Sequence, residues 1–218
     1  MNLTDKLNIP GEHAFILPGL VGPLDVELTV PDHLNAGFVA LLGHPHSLMG
    51  GTMHNKVVTT LARMFKALGI ASLRFNFRGV GQSGGVYDAG IGESDDMLFL
   101  AHCCLQDRPD TKLLFAGFSF GSYVAWRAAA QHPHALLISI APPVHHFDYT
   151  EFAAGSTPWI VAQGDDDEVV PANLVFDFVE SFPHICLLRF AETGHFFHGQ
   201  LIPLKQRLID AMKTYDIS

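Results

Sequence analysis

At 218 residues, with 48% hydrophobic and 16% charged residues, the chain is sized and composed for a single well-packed domain rather than a disordered segment. A net charge of −9, with Lys and Arg scattered, argues against nucleic acid and anionic membrane surfaces, since both need a basic footprint. No apolar run approaches membrane-spanning length and residues 1–8 lack a signal-peptide core; Cys103, Cys104 and Cys186, without metal-site spacing, read as reduced thiols and point to a cytoplasmic protein.

Residues 14–17 and 25–30 are expected as two short strands around Pro18-Gly19 and Gly22-Pro23, an antiparallel hairpin at a sheet edge. Residues 38–42 read as a buried strand ending at Gly43-His44. Val57, Val58, Leu61, Met64, Phe65 and Leu68 recur at helical spacing and predict a helix over residues 54–68, stopped at Gly69. A strand over residues 71–77 and a Gly-rich loop over 79–92 follow. Glu93-Ser94-Asp95-Asp96 then opens a helix to about Gln106; acids in a first turn suit the helix dipole, so capping explains them better than a metal site.

The apolar run Leu113-Leu114-Phe115-Ala116 leads straight into Gly117-Phe118-Ser119-Phe120-Gly121, and residues 122–131 read as a helix. A serine between two glycines at a strand–helix junction is what a nucleophile elbow needs. The turn is too tight for bulky residues two places before or after the serine. Its hydroxyl stands at the N-terminal end of the helix, where free N–H groups and the dipole favour negative charge. A strand over 135–140 precedes Pro142-Pro143, and only about fifteen residues then separate Pro143 from the strand at 159–163, too few for a helical cap. A helix over 173–180, a strand over 185–190 and a closing helix over 203–213 complete the chain. Such alternation implies an α/β fold with a mainly parallel sheet covered by helices on both faces.

The strand at 159–163 ends in Gly164-Asp165-Asp166-Asp167-Glu168-Val169-Val170-Pro171, and the strand at 185–190 ends just before Glu192-Thr193-Gly194-His195. Serine, acid and histidine therefore each lie past the carboxyl end of a strand, where sites of open α/β sheets gather. Serine is a poor nucleophile at neutral pH, so Ser119 needs a base, for which His195 is the candidate and His198 the alternative. An acyl-transfer site also needs donors for the oxyanion. One is the N–H of Phe120, the residue after the serine, and the other comes from the loop after residues 38–42, where Pro45 has none to give. Gly79-Val80-Gly81-Gln82-Ser83-Gly84 matches a dinucleotide fingerprint but opens no helix, so no such cofactor is expected. His44 and His46 have no acid or Cys at ligand spacing, and no metal is expected either.

The order Ser, Asp, His is that of the α/β-hydrolases. With His44-Pro45-His46, Gly50-Gly51-Thr52-Met53-His54-Asn55-Lys56-Val57-Val58 and Arg74-Phe75-Asn76-Phe77-Arg78-Gly79-Val80-Gly81, the chain resembles that superfamily over about residues 37–198. Within it the likeness is to a group of compact bacterial hydrolases, from which the chain departs at Ser47, where a second proline would stand. The resemblance implies that the acid is Asp167, three residues past Gly164, with Asp165 second and the neighbouring acids solvated. It implies His46 as the second oxyanion donor, ahead of Ser47. Arg78, Gly79, Gly81 and Ser83 match an Arg-Gly-x-Gly-x-Ser loop common in the superfamily.

The expected function is a serine hydrolase acting on small-molecule carboxylic esters or thioesters through an acyl-enzyme on Ser119. The rivals are a small peptidase or lactone hydrolase on the same fold, and a binding protein that retains the fold without turnover. Loops 47–53, 84–92 and 144–152 read as carrying few large apolar side chains, so a shallow site favouring short acyl groups is expected.

Overall fold

Alternation of apolar side chains along the strands decides what the sheet separates. The computed structural model describes residues 3–106, 108–153 and 155–217. Strands β1 (Gly11–Pro18), β2 (Pro23–Val30), β3 (Phe38–Gly43), β4 (Ala71–Phe75), β5 (Lys112–Phe118), β6 (Leu136–Ile140), β7 (Trp159–Gly164) and β8 (Ile185–Phe190) form one sheet in the order β1-β2-β4-β3-β5-β6-β7-β8. On β5, Leu113 and Phe115 face one core while Leu114, Ala116 and Phe118 face the other. Val39 and Leu41 of β3 part from Ala40 and Leu42 in the same way. A strand buried on both faces needs this unbroken apolar run.

Helices α1 (Leu3–Lys6), α3 (Ile91–Leu105), α4 (Phe120–Gln131) and α5 (Ala172–Glu180) cover the first face. The second is covered by α2 (Lys56–Ala67) and α6 (Leu201–Lys213). Strands β3 to β8 run parallel; β1 and β2 form the expected antiparallel edge hairpin, with β2 antiparallel to β4. The carboxyl ends of the parallel strands therefore share one rim. Residues 141–158 hold no helix or strand among those described, so that segment forms no helical cap over the rim.

Every expected strand and helix is present, with ends shifted by a few residues. The acidic start of α3 differs in detail. The helix begins at Ile91, and Glu93 does cap it, accepting from the N–H groups of Asp88 and Gly90 at 2.9 Å each. Asp96, however, is buried against Arg78, taking Nε at 2.9 Å and Nη2 at 3.0 Å. This pairing holds the loop after β4 onto α3. Short α1 was not expected; Leu3 and Leu7 enter the core there. The three cysteines are free thiols, and no helix among the described residues is long and apolar enough to cross a membrane.

Candidate active site

Steric exclusion builds the turn between β5 and α4. A Cβ on Gly117 would lie 2.0 Å from the carbonyl oxygen of Gly121, and one on Gly121 would lie 2.3 Å from the backbone of Gly43. No side chain fits at either place. The backbone at Ser119 is forced to φ 52° and ψ −125°, a region costing about 1–3 kcal/mol for a residue with a Cβ. The Ser119 N–H donates to Ile140 O at 2.8 Å, and its carbonyl accepts from Ser122 N at 2.8 Å and Ser122 Oγ at 2.6 Å. Only the hydroxyl is left uncommitted.

His195 Nδ1 lies 2.9 Å from Asp167 Oδ2 and 3.1 Å from Oδ1, with both side chains almost wholly shielded from water. Asp167 Oδ1 also accepts from the N–H groups of Val169 (2.9 Å) and Val170 (2.7 Å), and Oδ2 from Gln163 Nε2 (3.0 Å). Burial opposes ionisation of Asp167, but His195 and the two backbone donors outweigh it and hold the carboxyl below its ordinary value. An ionised carboxylate only accepts, so the Nδ1 proton points at Asp167 and Nε2 of a neutral imidazole carries the lone pair. The imidazole packs 4.9 Å from the ring of Phe118, the residue before Ser119, which sets it beside the turn.

The alternatives part from the site. Asp165 is held by Arg189 Nε at 3.2 Å, and the His198 ring lies 5.9 Å from that of Phe196. Glu168, exposed as expected, also accepts from the His195 N–H at 3.0 Å and so fixes the loop that carries the imidazole. Neither Glu168 nor Gln163 was singled out in the sequence. An acid next to the candidate acid was the only signal for the first, and the second had none.

Phe120 opens α4, a position whose N–H the helix leaves free. The His46 ring lies 5.0 Å from the Phe120 ring and 5.0 Å from that of Tyr87, so the loop after β3 and the start of α4 meet at Ser119. That loop is set by His44, whose buried ring donates from Nδ1 to Pro45 O (2.7 Å) and accepts at Nε2 from Phe77 N (2.9 Å). Burial drives its pKa down to about 4, which keeps it neutral for both bonds. Ser83 Oγ donates to Asn76 O at 2.6 Å and accepts from Asp25 N at 3.0 Å, so the Gly79–Gly84 stretch braces a turn. Among the described residues no group of three or more His, Cys, Asp or Glu could hold a metal ion. The rim loops differ from expectation in carrying Leu48, Met49 and Val86 exposed, while Met53 and Tyr149 turn inward.

No protein-family model matches the chain. A solved structure of an α/β serine hydrolase without a lid from Xanthomonas campestris is 43% identical, with a TM-score of 0.89 and 94% of each chain covered. An α/β serine hydrolase homologue from Coxiella burnetii is 40% identical, with a TM-score of 0.87, covering 91% of this chain and 96% of that one. An uncharacterised protein of Rickettsia prowazekii (strain Madrid E) is 38% identical over 146 residues, which are 65% of this chain and 61% of that protein's length.

Proposed function

Because the chain belongs to the lidless α/β serine hydrolases, we propose that it cleaves small carboxylic esters or thioesters through an acyl-enzyme on Ser119. The observation that carries this reading is the Asp167–His195 pair beside a strained Ser119 at a helix start. Ser119 Oγ bonds to the acyl carbon while His195 Nε2 takes its proton. The oxygen or sulfur of the leaving group departs with that proton. Water then enters, giving one proton to His195 and its hydroxyl to the acyl carbon, and Ser119 Oγ leaves reprotonated as the free carboxylic acid forms. Asp167 holds the tautomer and stabilises the imidazolium at both stages. The N–H groups of Phe120 and His46 receive the oxyanion.

A fluorophosphonate probe tests this. One label per chain is expected, mapped to Ser119 and lost in Ser119→Ala with the fold retained. A label elsewhere, or none on folded protein, would overturn the reading.

A further inference from the structure

The segment Gly50-Gly51-Thr52-Met53-His54-Asn55-Lys56 lies beside the site, and most of its residues have a structural task. A Cβ on Gly51 would sit 2.1 Å from Pro45 O. Met53 is buried, and its N–H donates to Asn76 Oδ1 at 3.0 Å. Asn55 caps α2 through Val57 N at 2.9 Å. Lys56 has none. Its side chain is exposed and its ammonium has no hydrogen-bond or ion-pair partner among the described residues.

Lys56 borders a cavity of about 310 Å³ whose walls also include His54, His198, Thr52 and Phe196. Three basic side chains, from the start of α2, the turn before it and the loop after β8, thus border one hollow in a protein of net charge −9. Glu27 lies 3.6 Å from His54 but is committed to Arg74, so it does not answer Lys56. Phe196 follows His195, and its ring stands 5.1 Å from the imidazole, so one wall of the hollow lies next to the residue that hands a proton to the leaving atom. A general acid must reach the atom it protonates, so the leaving atom lies at His195, one residue along the chain from this cavity's wall.

We propose, resting on the ester-hydrolase reading above, that this cavity receives the leaving-group portion of the substrate and that this portion carries a carboxylate paired with Lys56. One unpaired ammonium balances a single negative charge, which fits a carboxylate better than a doubly charged phosphate. Lys56 is then a specificity determinant, separate from the groups that break the bond.

The test is the ratio of kcat/KM for two acetate esters that differ only in the leaving group, 4-hydroxybenzoate against 4-hydroxybenzamide. The wild-type ratio is expected above one. Lys56→Ala should lower it about tenfold, as expected for loss of one charge-assisted contact. Lys56→Glu should lower it further, Lys56→Arg should keep most of it, and Lys66→Ala, the same charge change at the far end of α2, should leave it alone. A wild-type ratio near one, or one that Lys56→Ala leaves within twofold, overturns the subsite. Fluorophosphonate labelling of Ser119 separates the two failures: without it the ester reading fails and this inference with it. If the labelled enzyme turns over neither ester, the decision passes to protection of Ser119 from the probe. 4-Hydroxybenzoate should then protect better than 4-hydroxybenzamide in the wild type and equally in Lys56→Ala; equal protection in the wild type overturns the subsite.

Discussion

The turn at Ser119 and the loops bearing Asp167 and His195 reach comparable order by opposite means. At the turn, backbone meets backbone: Gly43, Gly117 and Gly121 approach so closely that a methyl group at any of them would overlap main-chain atoms. In the loops, carboxylates gather donors, with Asp167 taking those of the His195 ring, Gln163 and the N–H groups of Val169 and Val170, and Glu168 taking the His195 N–H. The first arrangement is steric and indifferent to charge. The second is electrostatic, and changing one atom in it alters chemistry with little change in shape.

Asp167→Asn is the sharpest break in this comparison. The amide keeps the volume but offers a donor where an acceptor is needed, so His195 is held in the wrong tautomer; kcat should fall by about 10⁴-fold with the fold intact. Asp165→Asn, which loses only the contact to Arg189, should stay within a few-fold of wild type. Ester turnover and thermal unfolding of both variants decide it, and the reverse pattern would move the acid to Asp165.

Gly121→Ala tests the steric half. Its Cβ would meet the backbone of Gly43 at 2.3 Å and His44 O at 2.5 Å, and neither can yield without parting β3 from α4. A loss of more than about 3 kcal/mol in denaturant unfolding is expected. A stable Gly121→Ala protein would show that the turn is less constrained than its glycines indicate.

The smallest effect, of about 3 kcal/mol, comes from pH acting through His44, the titrating brace of the loop facing the turn. Its pKa is about 4 when folded against 6.5 ordinarily, so between these values the unfolded chain binds the extra proton. Stability should therefore be fully present above about pH 6.5 and decline as pH falls toward 4. Unfolding curves across that window check it. In His44→Gln, which lacks the titrating ring, the decline should shrink, leaving the carboxylates such as Asp167 to lose their share at lower pH.

This contrast also explains what the sequence made legible. Steric demands leave a local signature, because only glycine satisfies them, and Gly117-Phe118-Ser119-Phe120-Gly121 announced both the serine and its turn. Apolar runs and helical spacing placed the sheet and its helices within a few residues for a similar reason. Hydrogen-bonded pairing leaves no such mark. Residue type does not separate Asp167 from Asp165, and only the resemblance, through spacing from Gly164, favoured the first; in the structure His195 approaches one while Arg189 takes the other. The same holds for Asp96, whose partner Arg78 comes from another loop, and for Glu168, whose partner is a main-chain N–H 27 residues away. The rim loops, read as poor in large apolar groups, hold Leu48, Met49 and Val86 exposed.

The contact between Gly43 and Gly121 has a consequence for inheritance. A lineage carrying this turn can alter almost nothing in the main chain that supports the serine, since each small enlargement separates a strand from the helix behind it. Exposed rim positions such as Leu48, Met49, Val86 and Phe196 are under no such restraint, for their side chains border water. Descendants can thus diverge in what they accept while the chemistry beneath stays as it was, and variation among them should gather on one rim.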